Sequence, residues 1–124
     1  MRAIEGLTSK GGHYSPRMIA GGMLYISGQL PIDQTTGMIA EGGIREQTQM
    51  ALTNVGRVLE AAGLKPENVV MCHVYIPDMG NWDAVNEVYA EYFGNHKPAR
   101  VIVPTRELHH GALIEIEAVA EMKE

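Results

Sequence analysis

The chain has 124 residues, 45% hydrophobic and 20% charged, which predicts one globular domain over residues 1–124. Its net charge of −5 and its ten scattered Lys and Arg residues argue against a nucleic-acid partner, which needs clustered positive charge. One cysteine excludes an intrachain disulfide, and the absence of a membrane-length apolar stretch or signal-peptide core predicts a cytoplasmic protein.

The first half of the chain predicts a strand, a turn and a helix. Residues 23–27 are β-forming and lie between glycines, which indicates a strand. Residues 31–37 carry turn chemistry, and apolar residues at helical spacing then predict a helix over 44–62 that ends at Gly63. We expect Gly56, inside this helix, to permit close packing of the helix on a sheet.

The second half of the chain again predicts a strand followed by a helix. Residues 69–76 predict a strand, and residues 82–93 a helix with Asn81 as a candidate N-cap and Gly94 at its end. Two further strands follow. With a hairpin added at the N-terminus, this order predicts an α+β fold with two helices on one face of a mixed sheet.

The last two strands are predicted to form a β-hairpin. Residues 101–103 and 113–120 are apolar or alternating runs with a polar break between them. A turn near residues 107 and 108 would place Arg100 opposite Glu115, at roughly 5 Å between their Cβ atoms. This arrangement fits a salt bridge or a binding site equally well.

One face of the predicted sheet is expected to contact another subunit. Alternation sends residues 114, 116, 118 and 120 towards the helices and leaves residues 113, 115, 117 and 119 on the uncovered face. Because that second set mixes apolar groups with carboxylates, it predicts oligomerisation. The alternative is that the carboxylates are simply solvated.

Short motifs follow one another in a fixed order over nearly the whole chain. They are Gly12-His13-Tyr14-Ser15, Ser27-Gly28-Gln29-Leu30-Pro31, Thr36-Gly37, Gln47-Thr48, Asn54, Val58-Leu59, Ala61-Ala62-Gly63, Val85-Asn86-Glu87-Val88-Tyr89, Pro98-Ala99-Arg100 and Glu115-Ile116-Glu117-Ala118. In this order and spacing the chain resembles the Rid (reactive intermediate deaminase) family, also called YjgF.

The resemblance implies a fold, an assembly and a reaction. The fold is a chorismate-mutase-like, ferredoxin-like α+β sandwich, and the assembly is a homotrimer with clefts between subunits. The reaction is hydrolysis of 2-iminopropanoate and 2-iminobutanoate to 2-oxo acids and ammonia. Neither an organic cofactor nor a metal is implied.

The resemblance also implies three catalytic residues. Arg100 matches the arginine that binds the substrate carboxylate, a task suited to a planar guanidinium. Glu115 matches the acid that positions water and transfers protons, although Glu117 lies two residues on and competes for that role. Tyr14 offers a hydroxyl to substrate or water. The alternatives are that Arg100 forms a structural ion pair with Glu115, that Glu115 is a solvated carboxylate and that Tyr14 is an amphipathic wall residue.

Four residues are candidate substrate-binding groups by the same resemblance. Ser27 and Gly28 follow a strand, where a hydroxyl, a backbone N–H and close approach are all available. Asn86 supports the cleft from the second helix, and the carbonyl of Ile102 accepts a bond from the substrate nitrogen. The simpler alternatives are an ordinary strand end and a polar residue on a helix surface.

Four residues depart from the family pattern. His13, His109, His110 and Arg17 stand near the implied cleft. A histidine cluster there can alter substrate choice, titrate near neutral pH or bind a metal. Exposed loop histidines are the simpler interpretation. These departures keep two alternatives open: a non-catalytic trimer that binds a small 2-oxo acid or another carboxylate, and a paralogue that acts on a different imine or acrylate.

Overall fold

A computed structural model describes residues 12–122 of the chain. The helices are α1 (Ile44–Ala61) and α2 (Trp82–Phe93), and the strands are β1 (Arg17–Ala20), β2 (Met23–Gln29), β3 (Val69–Ile76), β4 (Ala99–Pro104) and β5 (Glu115–Glu121). The predicted order of elements, including the N-terminal hairpin, is confirmed.

The strands form one mixed sheet in the order β1-β2-β5-β3-β4. β3 and β4 are parallel neighbours joined through α2, and the other neighbouring pairs are antiparallel. α1 joins β2 to β3, and β5 lies between these two strands, which makes a split β-α-β unit of the ferredoxin-like type. The predicted α+β fold is confirmed.

The core lies between the sheet and the two helices. Alternate residues of the central strands face inwards, as predicted for residues 116, 118 and 120. They pack against one stripe of each helix; the fully buried members include Leu52, Val55, Val74, Ile76, Val85, Ile114 and Ile116.

Glycine has a different role in α1 from the one predicted. A Cβ at Gly56 would lie 2.8 Å from the Tyr92 hydroxyl oxygen, and Tyr92 belongs to α2. The glycine therefore permits close approach of helix to helix, and the predicted helix-to-sheet role is wrong. Asn81 occupies the N-cap position of α2, but its side chain makes no capping hydrogen bond.

The predicted hairpin of the last two strands is wrong. β3 lies between β4 and β5, so Arg100 pairs with Cys72 while Glu115 pairs with Tyr75. Arg100 shares the helix-side face with buried Cys72, whereas Glu115 lies on the opposite, open face. The parallel crossover through α2 carries β4 to the sheet edge, and the long connection 105–114 lets β5 enter the centre.

The open face carries an apolar row across all five strands. The row consists of Met18, Tyr25, Val119, Met71 and Ala99, each paired with the next. Met18 and Tyr25 remain 42% and 47% exposed, and nearby Val101 is 40% exposed. The predicted open-face orientation of residues 115, 117 and 119 is confirmed. Within residues 12–122, no helix has the length and apolarity needed to cross a membrane.

Candidate active site

Arg100 is held against α2 by three side chains of that helix. Its NH1 group donates a 2.8 Å hydrogen bond to Asn86 Oδ1. Its guanidinium carbon lies 4.9 Å from the ring centroid of Tyr89 and 5.5 Å from that of Trp82. Positions 82, 86 and 89 share one face of the helix. The amide and the two π faces therefore fix the guanidinium at the edge of the sheet.

A cavity of about 490 Å³ opens beside this arginine. Its walls are the C-terminal half of α2 and residues 94–100. Lys97 and Arg100 supply positive charge, while Phe93 and Pro98 supply apolar surface. Such a pocket suits a small anion with an apolar side chain. Ile102 lies two residues beyond Arg100 on the same face of β4, opposite Val74.

Glu115 lies on the other face of the sheet, directly against β2. A Cβ added to Gly28 would lie 2.5 Å from Glu115 Oε2, so glycine is what lets the carboxylate approach this strand. Burial raises the pKa of Glu115, the charge of Glu117 raises it further, and His109 lowers it.

Glu117 is more heavily engaged by its neighbours. Its Oε2 lies 3.3 Å from His73 Nδ1, within ion-pair range, although the ring nitrogen is not aligned for a hydrogen bond. Burial raises the pKa of the Tyr75 phenol, and the charges of Glu117 and Glu115 raise it further. Tyr75 therefore lies beside both carboxylates. Glu117 is thus engaged by His73 and Tyr75, whereas Glu115 lies against Gly28.

Ser27 anchors the segment that precedes β1. Its hydroxyl donates to the Ser15 carbonyl at 2.6 Å, and its backbone N–H donates to the Pro16 carbonyl at 3.0 Å. Tyr14, a residue that is 54% exposed, belongs to this anchored segment. In this conformation the Ser27 hydroxyl positions the Tyr14 segment and is already donating to the protein.

The departures from the family pattern occupy three places. His13 is exposed, and Arg17 lies on β1 opposite Ile26 with its Nε buried and without a hydrogen bond. His109 and His110 form a ring pair with centroids 4.0 Å apart. Among the described residues, no group of three or more His, Cys, Asp or Glu side chains is placed to hold a metal ion.

The candidate residues thus fall into two groups within one chain. Arg100, Asn86 and Ile102 lie at the α2–β4 edge, whereas Glu115 and Gly28 meet on the open face. Sequence reasoning missed the stacking of the Trp82 and Tyr89 rings on the arginine, and it missed Tyr75 beside the carboxylates. In the sequence, Trp82 and Tyr89 belong to the apolar stripe of α2, and Tyr75 belongs to the alternating pattern of β3. Both patterns indicate only that these residues pack in a core.

Comparison with known proteins shows what the chain is similar to. The model of the family described as Endoribonuclease L-PSP matches residues 8–122. A RutC family protein of Pyrococcus horikoshii is 50% identical over 109 residues, which are 88% of this chain and 86% of that protein. The human 2-iminobutanoate/2-iminopropanoate deaminase is 40% identical over 109 residues, covering 88% of this chain and 80% of the enzyme.

A solved structure is similar to this chain in its fold. Escherichia coli TdcF with bound serine superposes with a TM-score of 0.88 at 32% identity, covering 98% of both chains.

Proposed function

The chain belongs to the Rid/YjgF family, and from that premise we propose that it hydrolyses 2-imino and enamine acids to 2-oxo acids and ammonia. Its proposed substrates are 2-iminopropanoate and 2-iminobutanoate, the compounds that name the human relative. The observation that carries the proposal is the Glu115 carboxylate, which is half-buried, has a raised pKa and lies against Gly28. A raised pKa makes a carboxylate a better acceptor for a proton from water than an ordinary carboxylate.

The two groups of site residues meet, in this proposal, across a subunit contact. Arg100 and Glu115 lie on opposite faces of one sheet, so a substrate cannot bridge them within one chain. The exposed apolar row that includes Met18 and Tyr25 supplies a surface that a second copy would bury. We therefore propose a homotrimer in which each cleft takes Arg100 from one subunit and Glu115 from its neighbour.

The chemistry needs one anion-binding group and one proton carrier. Arg100 binds the substrate carboxylate through two parallel hydrogen bonds. As water attacks the iminium carbon, a C–O bond forms, the C=N π pair moves to nitrogen, and Glu115 takes a proton from the water. Glu115 then returns this proton to the amine of the carbinolamine. The C–N bond breaks as a lone pair of the hydroxyl oxygen forms the C=O bond, and the hydroxyl proton passes by way of Glu115 to the departing ammonia, which gives the 2-oxo acid and ammonium.

Other groups support these steps. We propose that Asn86 holds the guanidinium in place, since it already accepts a hydrogen bond from Arg100. Gly28 gives the substrate close access to the backbone of β2. The Tyr14 hydroxyl and the Ile102 carbonyl are proposed partners of the attacking water and of the substrate nitrogen. No step requires a cofactor.

The decisive assay generates 2-aminoacrylate with a serine dehydratase and follows the loss of imine with and without this protein. We expect acceleration by the native protein, and about 10²-fold lower kcat/KM for Arg100→Lys, which keeps the charge but loses the planar fork. Arg45→Lys is the matched control, because Arg45 is an exposed residue that pairs with Glu87 at 2.7 Å. No acceleration by the native protein would exclude this substrate class, and an unchanged Arg100→Lys would exclude the carboxylate clamp.

A second candidate function is the binding of a small carboxylate without turnover. It is favoured by the cavity beside Arg100, which has positive and apolar walls and needs no contribution from Glu115. Calorimetry with 2-oxobutanoate separates the two functions: tight binding without turnover of any imine supports the binding protein. The net charge of −5 leads us to expect that RNA neither binds nor competes in either assay.

A further inference from the structure

The chain contains a single tryptophan, and that tryptophan lies beside Arg100. Trp82 is the first residue of α2, and its ring centroid is 5.5 Å from the guanidinium carbon of Arg100. A 3-10 turn, Met79–Asn81, precedes the helix, and the Trp82 backbone N–H donates to the Met79 carbonyl. Trp82 is half-buried. The backbone therefore fixes the position of a ring that remains accessible at the surface.

The second ring that contacts Arg100 belongs to the core. Tyr89 is only 6% exposed, and its ring centroid lies 4.9 Å from the guanidinium carbon. Tyr89 packs against the buried Phe93 ring, with the two centroids 4.8 Å apart. Cys72, the partner of Arg100 on β3, is fully buried. The guanidinium therefore lies between the rigid interior on the Tyr89 side and the half-buried Trp82 ring at the surface.

These ring contacts are compatible with carboxylate binding by the same arginine. A guanidinium carries five N–H donors in one plane, and Asn86 accepts one of them from the NH1 group. An aromatic ring attracts the positive charge through its π electrons and does not need to accept a conventional hydrogen bond. Immobilising a flexible side chain on binding costs roughly 2- to 10-fold in affinity. An arginine that is already held avoids that cost.

We propose that Trp82 is a positioning residue for Arg100, whose ring holds the guanidinium ready for a carboxylate and thereby sets the affinity of the site for carboxylate ligands. The effect on hydrolysis rests on the proposed deamination, whereas the effect on carboxylate binding does not. Because Trp82 acts through Arg100, loss of the ring weakens binding of the substrate and of the transition state equally. Such a loss raises KM and leaves kcat almost unchanged.

The first test combines calorimetry with 2-oxobutanoate and steady-state imine hydrolysis. In Trp82→Leu we expect Kd and KM to rise about 3- to 10-fold and kcat to change less than about 2-fold. Trp82→Phe keeps a ring and should stay within about 2-fold of the native values. Tyr92→Leu is the matched control, because Tyr92 is a half-buried ring of α2 that faces Gly56 of α1. An unchanged or lower Kd in Trp82→Leu, or an equal rise in Tyr92→Leu, overturns the inference.

The second test separates the attraction of the ring from its packing. Because Trp82 is the only tryptophan, biosynthetic incorporation of 5-fluorotryptophan changes this position alone. Fluorine withdraws electrons from the ring face and weakens its attraction for a cation, with little change in size. We expect the Kd for 2-oxobutanoate to rise with 5-fluorotryptophan and to rise further with 5,6,7-trifluorotryptophan introduced by nonsense suppression, at native melting temperature. A Kd that does not depend on fluorination means that Trp82 serves only packing, and it overturns the inference.

The two proposals fail in different ways. If the native protein hydrolyses no imine but its Kd follows the ring at position 82, the positioning role stands and the proposed deamination fails. If imines are hydrolysed while Kd and KM ignore the ring, the deamination stands and the positioning role of Trp82 fails. A native protein that binds no 2-oxobutanoate also overturns the positioning role.

Discussion

The contact between Gly28 and Glu115 gives the most direct test of the proposed site. Gly28→Ala adds one methyl group, whose carbon would lie 2.5 Å from Glu115 Oε2, 3.1 Å from Cδ and 3.4 Å from Cγ. The closest of these distances is about 1 Å short of van der Waals contact. Because Oε2 is the free end of a flexible side chain, the carboxylate moves away while the backbone stays in place.

The expected magnitude follows from that displacement. A shift of about 1 Å in a group that must meet water and substrate costs roughly 10²-fold in kcat/KM. A new side-chain rotamer costs about 0.5–1.5 kcal/mol of stability, and the lower entropy of the unfolded alanine chain returns about 0.4–1 kcal/mol. The melting temperature should therefore change by no more than about 4 °C.

Two measurements separate this explanation from general damage. Steady-state imine hydrolysis gives kcat/KM, and calorimetric melting gives stability. Gly28→Ala should have little further effect in a Glu115→Gln background, since the displaced group is then already inactive. Gly43→Ala is the control glycine, because its nearest neighbouring atom would lie 4.0 Å away. Retention of more than half the native kcat/KM by Gly28→Ala would refute the placement of Glu115 at the reacting centre.

Three further predictions concern the carboxylates, the assembly and the core. Glu115→Gln should lose at least about 10²-fold in kcat, and Glu117→Gln should lose less than about 10-fold. Because the pKa of Glu115 is raised, the native activity should be lost, as the pH decreases, at a higher pH than the usual carboxylate range. Comparable losses in both variants would contradict the assignment. Val101→Asp on the open face should yield monomers by native mass spectrometry, whereas Met38→Asp at an exposed position should not. If the Val101→Asp variant kept the assembly mass of the native protein, the subunit contact would lie elsewhere. Asn54→Ala removes two part-buried hydrogen bonds, of 3.0 and 2.9 Å, that the buried Asn54 amide donates to the segment after β2. Calorimetric melting should therefore show a loss of about 1–3 kcal/mol in the free energy of unfolding, and a loss below about 0.5 kcal/mol would contradict this prediction.

Local patterns were enough to predict most of the elements. β3 spans residues 69–76 as predicted, and α1 and α2 match their predicted limits closely. These segments combine a strong hydrophobic period with glycine or proline at their ends, so short-range chemistry specifies them. The same alternation also assigned residues 114–120 to the correct faces, because side chains on a strand alternate whatever its neighbours are.

Strand pairing could not be predicted in the same way. β4 and β5 are adjacent in sequence, which favours a hairpin, but β3 separates them in the sheet. That arrangement depends on where α2 returns the chain and on which strand edges remain free for β5. The predicted contact between Arg100 and Glu115 failed for this reason, and so did the predicted packing of Gly56 on the sheet.

The sequence by itself determined the helices, the strands, the inward face of β5 and the family, because each depends on local periodicity or on ordered motifs. Only the tertiary structure decided that Arg100 stacks on α2 while Glu115 lies against Gly28 on the opposite face. Side chains far apart in the chain meet according to strand order and helix packing. Those are set by burial of the whole apolar surface, and no single segment contains that information.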